Sequence, residues 1–165
     1  MKEIGAGIII WRKNDKETEF FLCTPGGPKW LNRECWNFPK GYMVGNETPF
    51  ETAVREFTEE TSIKPSTDER DYVYHGLIKQ RQGKSVHVYS KKWSGEKLGD
   101  NCYSNTFKWT DGKEYPEIGE YKWMTLQEVI SRGGVKAYYT LFNSIANKND
   151  IECNGTGANS SINVH

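Results

Sequence analysis

The first forty residues alternate short apolar runs with polar turns. Runs at 4–11 and 19–23 flank the polar turn NDK at 14–16. Short apolar runs bounded by turn residues are typical of buried strands, so two strands are predicted here. The TPGGP at 24–28 contains two prolines and two glycines, which predicts a loop. Residues 36–41 indicate a short extended segment that enters a tight turn.

A helix is predicted at 49–62, because its start signals are complete. Thr48 can serve as the N-cap, Pro49 occupies the first helical position, and Glu51 stands three residues after the cap to close a capping box. At ~100° per residue, four apolar side chains fall on one face and form the predicted core face. They are Phe50, Ala53, Val54 and Phe57.

The second half of the chain continues the mixture of strands and helices. Strands are predicted at 72–79, 85–93 and 121–124 from their apolar and β-branched content. The stretch 94–116 is polar and rich in turn residues, so no regular element is predicted there.

Two helices and a tail complete the prediction. A second capping box, Thr125 to Glu128, opens a short helix, and an apolar stripe predicts a terminal amphipathic helix at 135–146. Asn, Ser and Gly dominate after that point. Residues 1–147 are therefore predicted to form a single domain, and 148–165 a flexible polar tail.

Charge and composition narrow the function classes. The 165 residues carry 22 Lys and Arg against 22 Asp and Glu, and this balance argues against a partner such as duplex DNA. No run approaches the ~18 apolar residues that span a bilayer, so we expect a soluble cytoplasmic protein without a membrane partner. The four cysteines and three histidines are scattered and form no zinc-type cluster.

The predicted helix also carries an unusual set of acids. Glu56, Glu59 and Glu60 share an arc of ~100° beside the core face, where like charges repel. Arg55 is one cation and cannot neutralise all three. The arc is either a solvated acidic face or a site for a hard divalent cation, which prefers clustered carboxylate oxygens. The glycine-containing turn at 41–47 could add a backbone carbonyl, which favours a metal-assisted phosphate enzyme.

The same residues resemble a known motif. Gly41, Glu47 and the segment 55–63 (REFTEETSI) match the Nudix box, Gly-x5-Glu-x7-Arg-Glu-apolar-x-Glu-Glu-x-Gly-apolar, at eight of its nine specified positions. The exception is Ser62, where the box has glycine. That position follows the helix and often requires φ > 0, so serine there costs on the order of 1 kcal/mol.

The resemblance covers roughly residues 4–146. The chain is similar to a Nudix subgroup known as predicted NTP pyrophosphohydrolases and, more loosely, to diadenosine tetraphosphate hydrolases, which share an entry to the box like FPKG at 38–41. This resemblance implies an α/β (α+β) fold, the Nudix-type α/β/α sandwich with a mixed β-sheet. It also implies hydrolysis of a nucleoside diphosphate linked to another moiety, by attack of a metal-activated water on phosphorus.

Family roles are carried over to matching residues. The resemblance implies that Arg55 orients the glutamates through an ion pair with Glu47 or Glu59, and that either Glu56 or Glu117 takes the proton from water. Glu117 precedes the strand pattern YKW at 121–123, with Glu120 as second choice. The implied ligands of Mg²⁺ or Mn²⁺ are Gly41, Glu56, Glu59, Glu60 and Glu117.

The expected partner is a small nucleotide or polyphosphate substrate. The candidate substrate-binding residues are Lys40, Glu47, Lys79, Arg81 and Lys84. The four basic residues could clamp phosphates or could be ordinary solvated cations. Four aromatic residues could stack on a base or belong to the core, namely Trp30, Trp36, Tyr42 and Phe107.

Two function classes stay open at this point. The first is a hydrolase acting on NTPs, on dinucleoside polyphosphates or on the 5′ end of RNA. The second is a non-catalytic Nudix-fold module that binds nucleotides or regulates. The complete set of repelling acids favours the enzyme, since a site without a ligand has no reason to keep them together.

Overall fold

The computed structural model describes residues 3–95, 97–132 and 136–154. The strands are β1 Glu3–Asn14, β2 Glu17–Pro25, β3 Lys40–Tyr42, β4 Val73–Lys79, β5 Lys84–Lys92, β6 Thr106–Lys108, β7 Glu114–Pro116 and β8 Ile118–Thr125. The α-helices are α1 Pro49–Thr61, α2 Leu126–Ser131 and α3 Tyr139–Asn154. Short 3-10 turns lie at Pro28–Trp30, Glu69–Asp71 and Lys136–Tyr138.

The main sheet has six strands and is mixed. Its order is β4-β5-β1-β2-β8, with β1 and β5 parallel and the other pairs antiparallel. Strand β3 pairs with the first part of β1, through Gly5–Gly7, whereas β2 pairs with the last part of β1, through Trp11–Asn14. The chain that enters the acid-bearing helix α1 is therefore fixed to the central strand.

Both faces of the sheet are buried, which explains the nearly continuous apolar run in β1. Ile8 and Ile10 pack with Phe57 and the rest of the α1 side, whereas Ile9 packs with Phe142 and the α2–α3 side. The side chains of successive strand residues point to opposite faces, so one strand contributes to two cores. The predicted α/β/α sandwich with a mixed sheet is confirmed.

Two parts of the predicted secondary structure need correction. The TPGGP segment is not a loop throughout, because β2 continues to Pro25 and Pro28 begins a 3-10 turn. Proline is tolerated at both places because neither position requires its missing N–H. The stretch 94–116 also contains the small antiparallel hairpin β6–β7, which its polar sequence did not indicate.

The C-terminal helix is longer than predicted. Helix α3 extends to Asn154, so residues 148–154 are helical and the predicted tail begins too early. Asn149 is buried, with 8% of its surface exposed. Residues 155–165, the remainder of the predicted tail, lie outside the described residues. Within the described part of the chain, no helix is both long and apolar enough to cross a membrane.

Candidate active site

Hydrogen bonds at both ends of α1 hold the helix in position. The Thr48 backbone N–H donates to Glu51 Oε1 at 2.9 Å, and Thr48 Oγ1 accepts from the Glu51 N–H at 3.2 Å, which confirms the predicted capping box. Ser62 ends the helix in the left-handed region with φ 63, as expected for the glycine position of the box. Its hydroxyl donates to the Tyr103 carbonyl at 2.8 Å, so this serine also anchors the following loop.

Arg55 lies at the centre of the box. Its Nε and Nη2 donate to the two carboxylate oxygens of Glu47, at 2.6 and 3.0 Å. Its Nη1 donates to Glu56 at 2.9 Å and to Glu59 at 3.2 Å. Nη2 also donates to the Tyr42 carbonyl at 2.9 Å. The structure therefore combines the two predicted partners, Glu47 and Glu59, and adds a third acid and the end of β3.

Glu47 holds the Arg55 side chain in position. Arg55 holds the pKa of Glu47 far below its usual range, at about 2. The carboxylate also accepts from the Val44 N–H and from the Thr52 hydroxyl, both at 3.0 Å. With both oxygens engaged in this way, Glu47 holds Arg55 in place.

Glu56 and Glu60 form a close carboxyl pair. Burial raises the pKa of both groups, and the charge of Glu56 adds to the effect on Glu60, whose pKa rises to about 9. The Lys40 ammonium opposes this rise in part. A hydrogen bond joins the two carboxyl groups, and their mutual repulsion favours the protonated form of one of them. Glu59 lies at the rim, with 36% of its side chain exposed.

Gly41 lies directly against this pair. A Cβ at Gly41 would overlap the carboxylate of Glu56, and a Cβ at Gly5 would come within 2.5 Å of the Gly41 carbonyl oxygen. Both glycines are needed for this close approach of β1, β3 and α1. The structure therefore brings the predicted backbone ligand, Gly41, next to the predicted carboxylate ligands.

Glu117 approaches the acid cluster from the junction between β7 and β8. Its N–H donates to the Asn105 carbonyl at 2.8 Å, and its carbonyl accepts from the Gly26 N–H at 2.7 Å. Burial raises the pKa of Glu117, and the charges of Glu56 and Glu59 raise it further. Asn105 also donates its N–H to the Glu59 carbonyl at 3.1 Å, so one residue links both acids through its backbone.

The predicted basic residues separate into three groups. Lys40 is adjacent to the acids: burial lowers its pKa, and Glu60 counteracts this. Lys40, Gly41 and Lys84 line a cavity of about 150 Å³. Lys84 and Arg81 also line a neighbouring cavity of about 630 Å³. Lys79 is exposed and lines neither of these cavities.

The oxygen atoms gathered at this site are of the kind that bind a hard divalent cation. Carboxylates and a backbone carbonyl are the oxygen ligands that Mg²⁺ and Mn²⁺ prefer, and a divalent cation would relieve the repulsion within the carboxyl pair. Over residues 3–95, 97–132 and 136–154, however, no group of three or more His, Cys, Asp or Glu side chains is arranged as a metal site. Arg55 is the cation that pairs directly with Glu56 and Glu59 among the described residues.

A family comparison identifies the origin of this geometry. The family model described as NUDIX domain matches residues 1–143. The chain belongs to the Nudix hydrolase superfamily. This confirms the family prediction.

Individual relatives agree with this assignment. The chain is 33% identical over 104 residues to a Mycobacterium tuberculosis protein named as mutator protein MutT4. The matched region covers 61% of this chain and 36% of that protein. The chain thus spans about a third of the length of this curated relative.

Solved Nudix structures share the fold at low sequence identity. The Ap4A hydrolase of C. elegans in a binary complex has a TM-score of 0.52 at 22% identity, over 93% of this chain and 98% of that one. The NUDIX domain of Shewanella oneidensis NrtR, complexed with ADP ribose, has a TM-score of 0.59 at 15% identity, over 88% and 86%. At these identities the likeness establishes the fold.

Sequence reasoning missed several residues around the site. Tyr121 donates its hydroxyl to the Glu60 carbonyl, and Asn105 links Glu59 with Glu117. The Asn105 contacts use only backbone atoms, so no pattern of side chains could have indicated them. A cavity near Glu117 brings Trp30 and Arg132 together, although they are a hundred residues apart in sequence.

Of the four candidate stacking aromatics, only some remain available to a ligand. Trp36 belongs to the core and is 3% exposed. Phe107 covers Gly27 and packs against Trp109 and Tyr115. Tyr42 is exposed at the end of β3, and Trp30 belongs to neither core cluster.

Proposed function

We propose that this protein is a metal-dependent pyrophosphohydrolase that cleaves a nucleoside diphosphate linked to another moiety, of the NTP or dinucleoside polyphosphate type. One observation carries the proposal. Glu56, on α1, lies against the Gly41 backbone and pairs with Glu60, and both acids experience the charge of Glu117, which the chain supplies from a separate loop. Acids this close repel each other unless a cation or a proton lies between them.

The chain's own groups have separable roles in this reaction. Glu56, Glu59, Glu60 and the Gly41 carbonyl would hold Mg²⁺ or Mn²⁺. When bound, the ion supplies Lewis-acid stabilisation of phosphate charge and lowers the pKa of water. Arg55 fixes the orientation of Glu56 and Glu59 through its ion pairs. Glu47 in turn fixes the Arg55 guanidinium by a bidentate contact.

Glu117 is the better of the two candidates for the general base. Glu56 already accepts a hydrogen bond from Arg55 and shares another with Glu60. Glu117 forms no ion pair or side-chain hydrogen bond with the residues that the structure describes. Its raised pKa also brings it closer to the working pH, where a general base is most effective.

The phosphate chain of the substrate would extend toward β5. Lys40 and Lys84 line the cavity that begins at Gly41, and two ammonium groups there can neutralise phosphate oxygens as point charges. Arg81 would reach a longer chain from the adjoining cavity. Lys79 is placed outside both cavities, and we leave it out of the proposed clamp.

The test is hydrolysis of a substrate panel with Mg²⁺ or Mn²⁺. The panel contains NTPs, dinucleoside polyphosphates and RNA with a 5′-triphosphate, and product release identifies the substrate type. Glu56→Gln, Glu59→Gln and Glu60→Gln should each lower turnover on the order of 100-fold, because each removes a charged ligand of the ion that would stabilise charge on the reacting phosphate. They should leave the metal-free fold intact, since each relieves repulsion.

Glu51→Gln is the matched control on the same helix. Glu51 is exposed and serves the cap, so its replacement should cost a fraction of the ~1 kcal/mol typical of caps and leave turnover unchanged. Full activity after exhaustive chelation would contradict metal dependence. Binding of nucleotides without hydrolysis of any member of the panel would instead indicate a regulatory module.

A further inference from the structure

A second cavity, of about 430 Å³, lies beside Glu117 on the side of β2 and β8. Gly26 connects the cavity to the acid cluster, because Gly26 lines it and donates its N–H to the Glu117 carbonyl at 2.7 Å. The lining of the cavity is therefore joined to the Glu117 backbone by a hydrogen bond. A cavity of this size is within the range of small-molecule sites.

Trp30 supplies an aromatic surface in this cavity. The residue is half-buried and belongs to neither of the two core clusters, so packing of the core does not account for its indole. The loop holds it in place, because the Trp30 N–H donates to the Gly27 carbonyl and the Arg33 N–H donates to the Trp30 carbonyl, both at 3.1 Å. Lys29 Nζ and Arg33 Cζ lie 5.2 and 6.0 Å from the ring centroid.

Glu34, Trp36 and Arg132 also line the cavity and are joined by hydrogen bonds. Glu34 accepts from Arg132 Nη2 at 2.7 Å with one oxygen and from Trp36 Nε1 at 2.5 Å with the other. The Arg132 guanidinium also lies 5.7 Å from the Trp36 ring. Among the residues that the structure describes, Glu34 is the side chain that accepts from Arg132 and it uses one guanidinium nitrogen, so the remaining donors can serve a ligand. Glu120, which also lines the cavity, adds a carboxylate acceptor.

These groups match a planar heteroaromatic ring with a polar edge. Aromatic side chains and guanidinium planes stack on nucleobases, and fixed donors and acceptors can bind the base edge. A bare phosphate would use the cations but would gain nothing from the Trp30 indole. We propose that this cavity binds the nucleobase of the substrate, with Trp30 stacking on the base and Arg132 and Glu120 at its edge. The inference rests on the proposed function only for placing the phosphates at the acid cluster.

The experiment measures equilibrium binding, which does not depend on turnover. The probes are AMP, GMP, CMP and UMP, which have no pyrophosphate bond, and ribose 5-phosphate, which has no base. Binding to the full chain is followed by titration calorimetry. Trp30→Ala should weaken the best nucleoside monophosphate about tenfold and leave ribose 5-phosphate unchanged. Trp30→Phe should retain most of the affinity.

Trp109→Ala is the matched control, since Trp109 lies in the β6–β7 turn and does not line the cavity. Equal affinity of the native protein and Trp30→Ala for every nucleotide would overturn the proposal, and so would the absence of any nucleotide binding. A parallel loss of ribose 5-phosphate binding would also overturn it and indicate an anion site. If Trp30-dependent binding persists while no panel substrate is hydrolysed, only the proposed function fails.

Discussion

Arg55 is the residue that organises the acids of this site. Four groups receive its hydrogen bonds, three of them carboxylates, and the Glu47 contact is bidentate. A planar guanidinium can bind several oxygens at fixed angles, which a lysine ammonium cannot do. The orientation of Glu56 and Glu59 therefore depends on Arg55, and the orientation of Arg55 depends on Glu47.

Glu47 gives this network a measurable pH signature. Arg55 depresses the pKa of Glu47 from 4.5 to about 2, so the folded state favours its ionised form. The resulting stabilisation is fully present above the unfolded pKa of 4.5 and is lost as pH falls toward 2. In urea unfolding, Glu47→Gln should be less stable than the native protein at pH 6, and the difference should shrink by pH 3. A pH-independent difference would contradict this prediction.

At the scale of elements, the close approach of β1, β3 and α1 determines the site. Gly5 and Gly41 let β1 and β3 lie where side chains would otherwise separate them, and α1 places Glu56 into that space. The C-terminal end of α1 is fixed as well. The loop around 103–105 donates to the Glu59 and Thr61 carbonyls, and Tyr121 donates to that of Glu60.

Substitution of Gly41 and of Gly45 by alanine should have opposite effects on turnover and on stability. Gly41→Ala would displace the flexible carboxylate of Glu56, so turnover should fall at least tenfold while the melting temperature changes little. Gly45 faces open space but has φ 58. Gly45→Ala should therefore lose on the order of 1 kcal/mol of stability and keep its activity. Thermal melts and kinetics on both variants check the pair, and identical profiles would refute it.

At the scale of the whole molecule, two different cavities adjoin residues of the candidate site, one through Gly41 and the other through Gly26, which is bonded to Glu117. The one toward β1 and β5 is basic and contains Lys40 and Lys84, whereas the one toward β2 and β8 contains Trp30 and Arg132. Because β1 separates β5 from β2 in the sheet, a substrate could extend its phosphates to one side and its base to the other. This arrangement would place the scissile bond over the acids.

The end of the chain provides a separate test of the fold. Ending the chain after Asn154 should leave the melting temperature and turnover unchanged, since residues 155–165 have too few apolar side chains to form a packed contact. Ending it after Asn147 would remove about two turns of α3, including the buried Asn149. That truncation should lower the melting temperature by a few degrees. Equal melting of the two proteins would show that the last turns of α3 contribute nothing.

The sequence by itself determined those structural features that depend on residues close together in the chain. The capping box at Thr48, the left-handed position at Ser62 and the acid arc at 56–60 all lie within one short segment, where helical periodicity and local hydrogen bonds decide the geometry. The alternation of strands and helices was also predictable, because burial on one or both faces leaves a period in the sequence.

Only the tertiary structure decided what depends on distant segments. The approach of Glu117 to Glu56 requires β8, the β6–β7 hairpin and Gly26, and the pKa of Glu60 depends on burial by surrounding elements. The cavity of Trp30 and Arg132 likewise joins a loop after β2 to the end of α2. Such contacts follow from strand order and layer packing, which leave no mark at a fixed spacing along the chain. The local sequence thus specified the acid-bearing helix α1. The packing of the sheet with its helices and loops specified the position of Glu117, the burial of Glu60 and the cavity of Trp30 and Arg132.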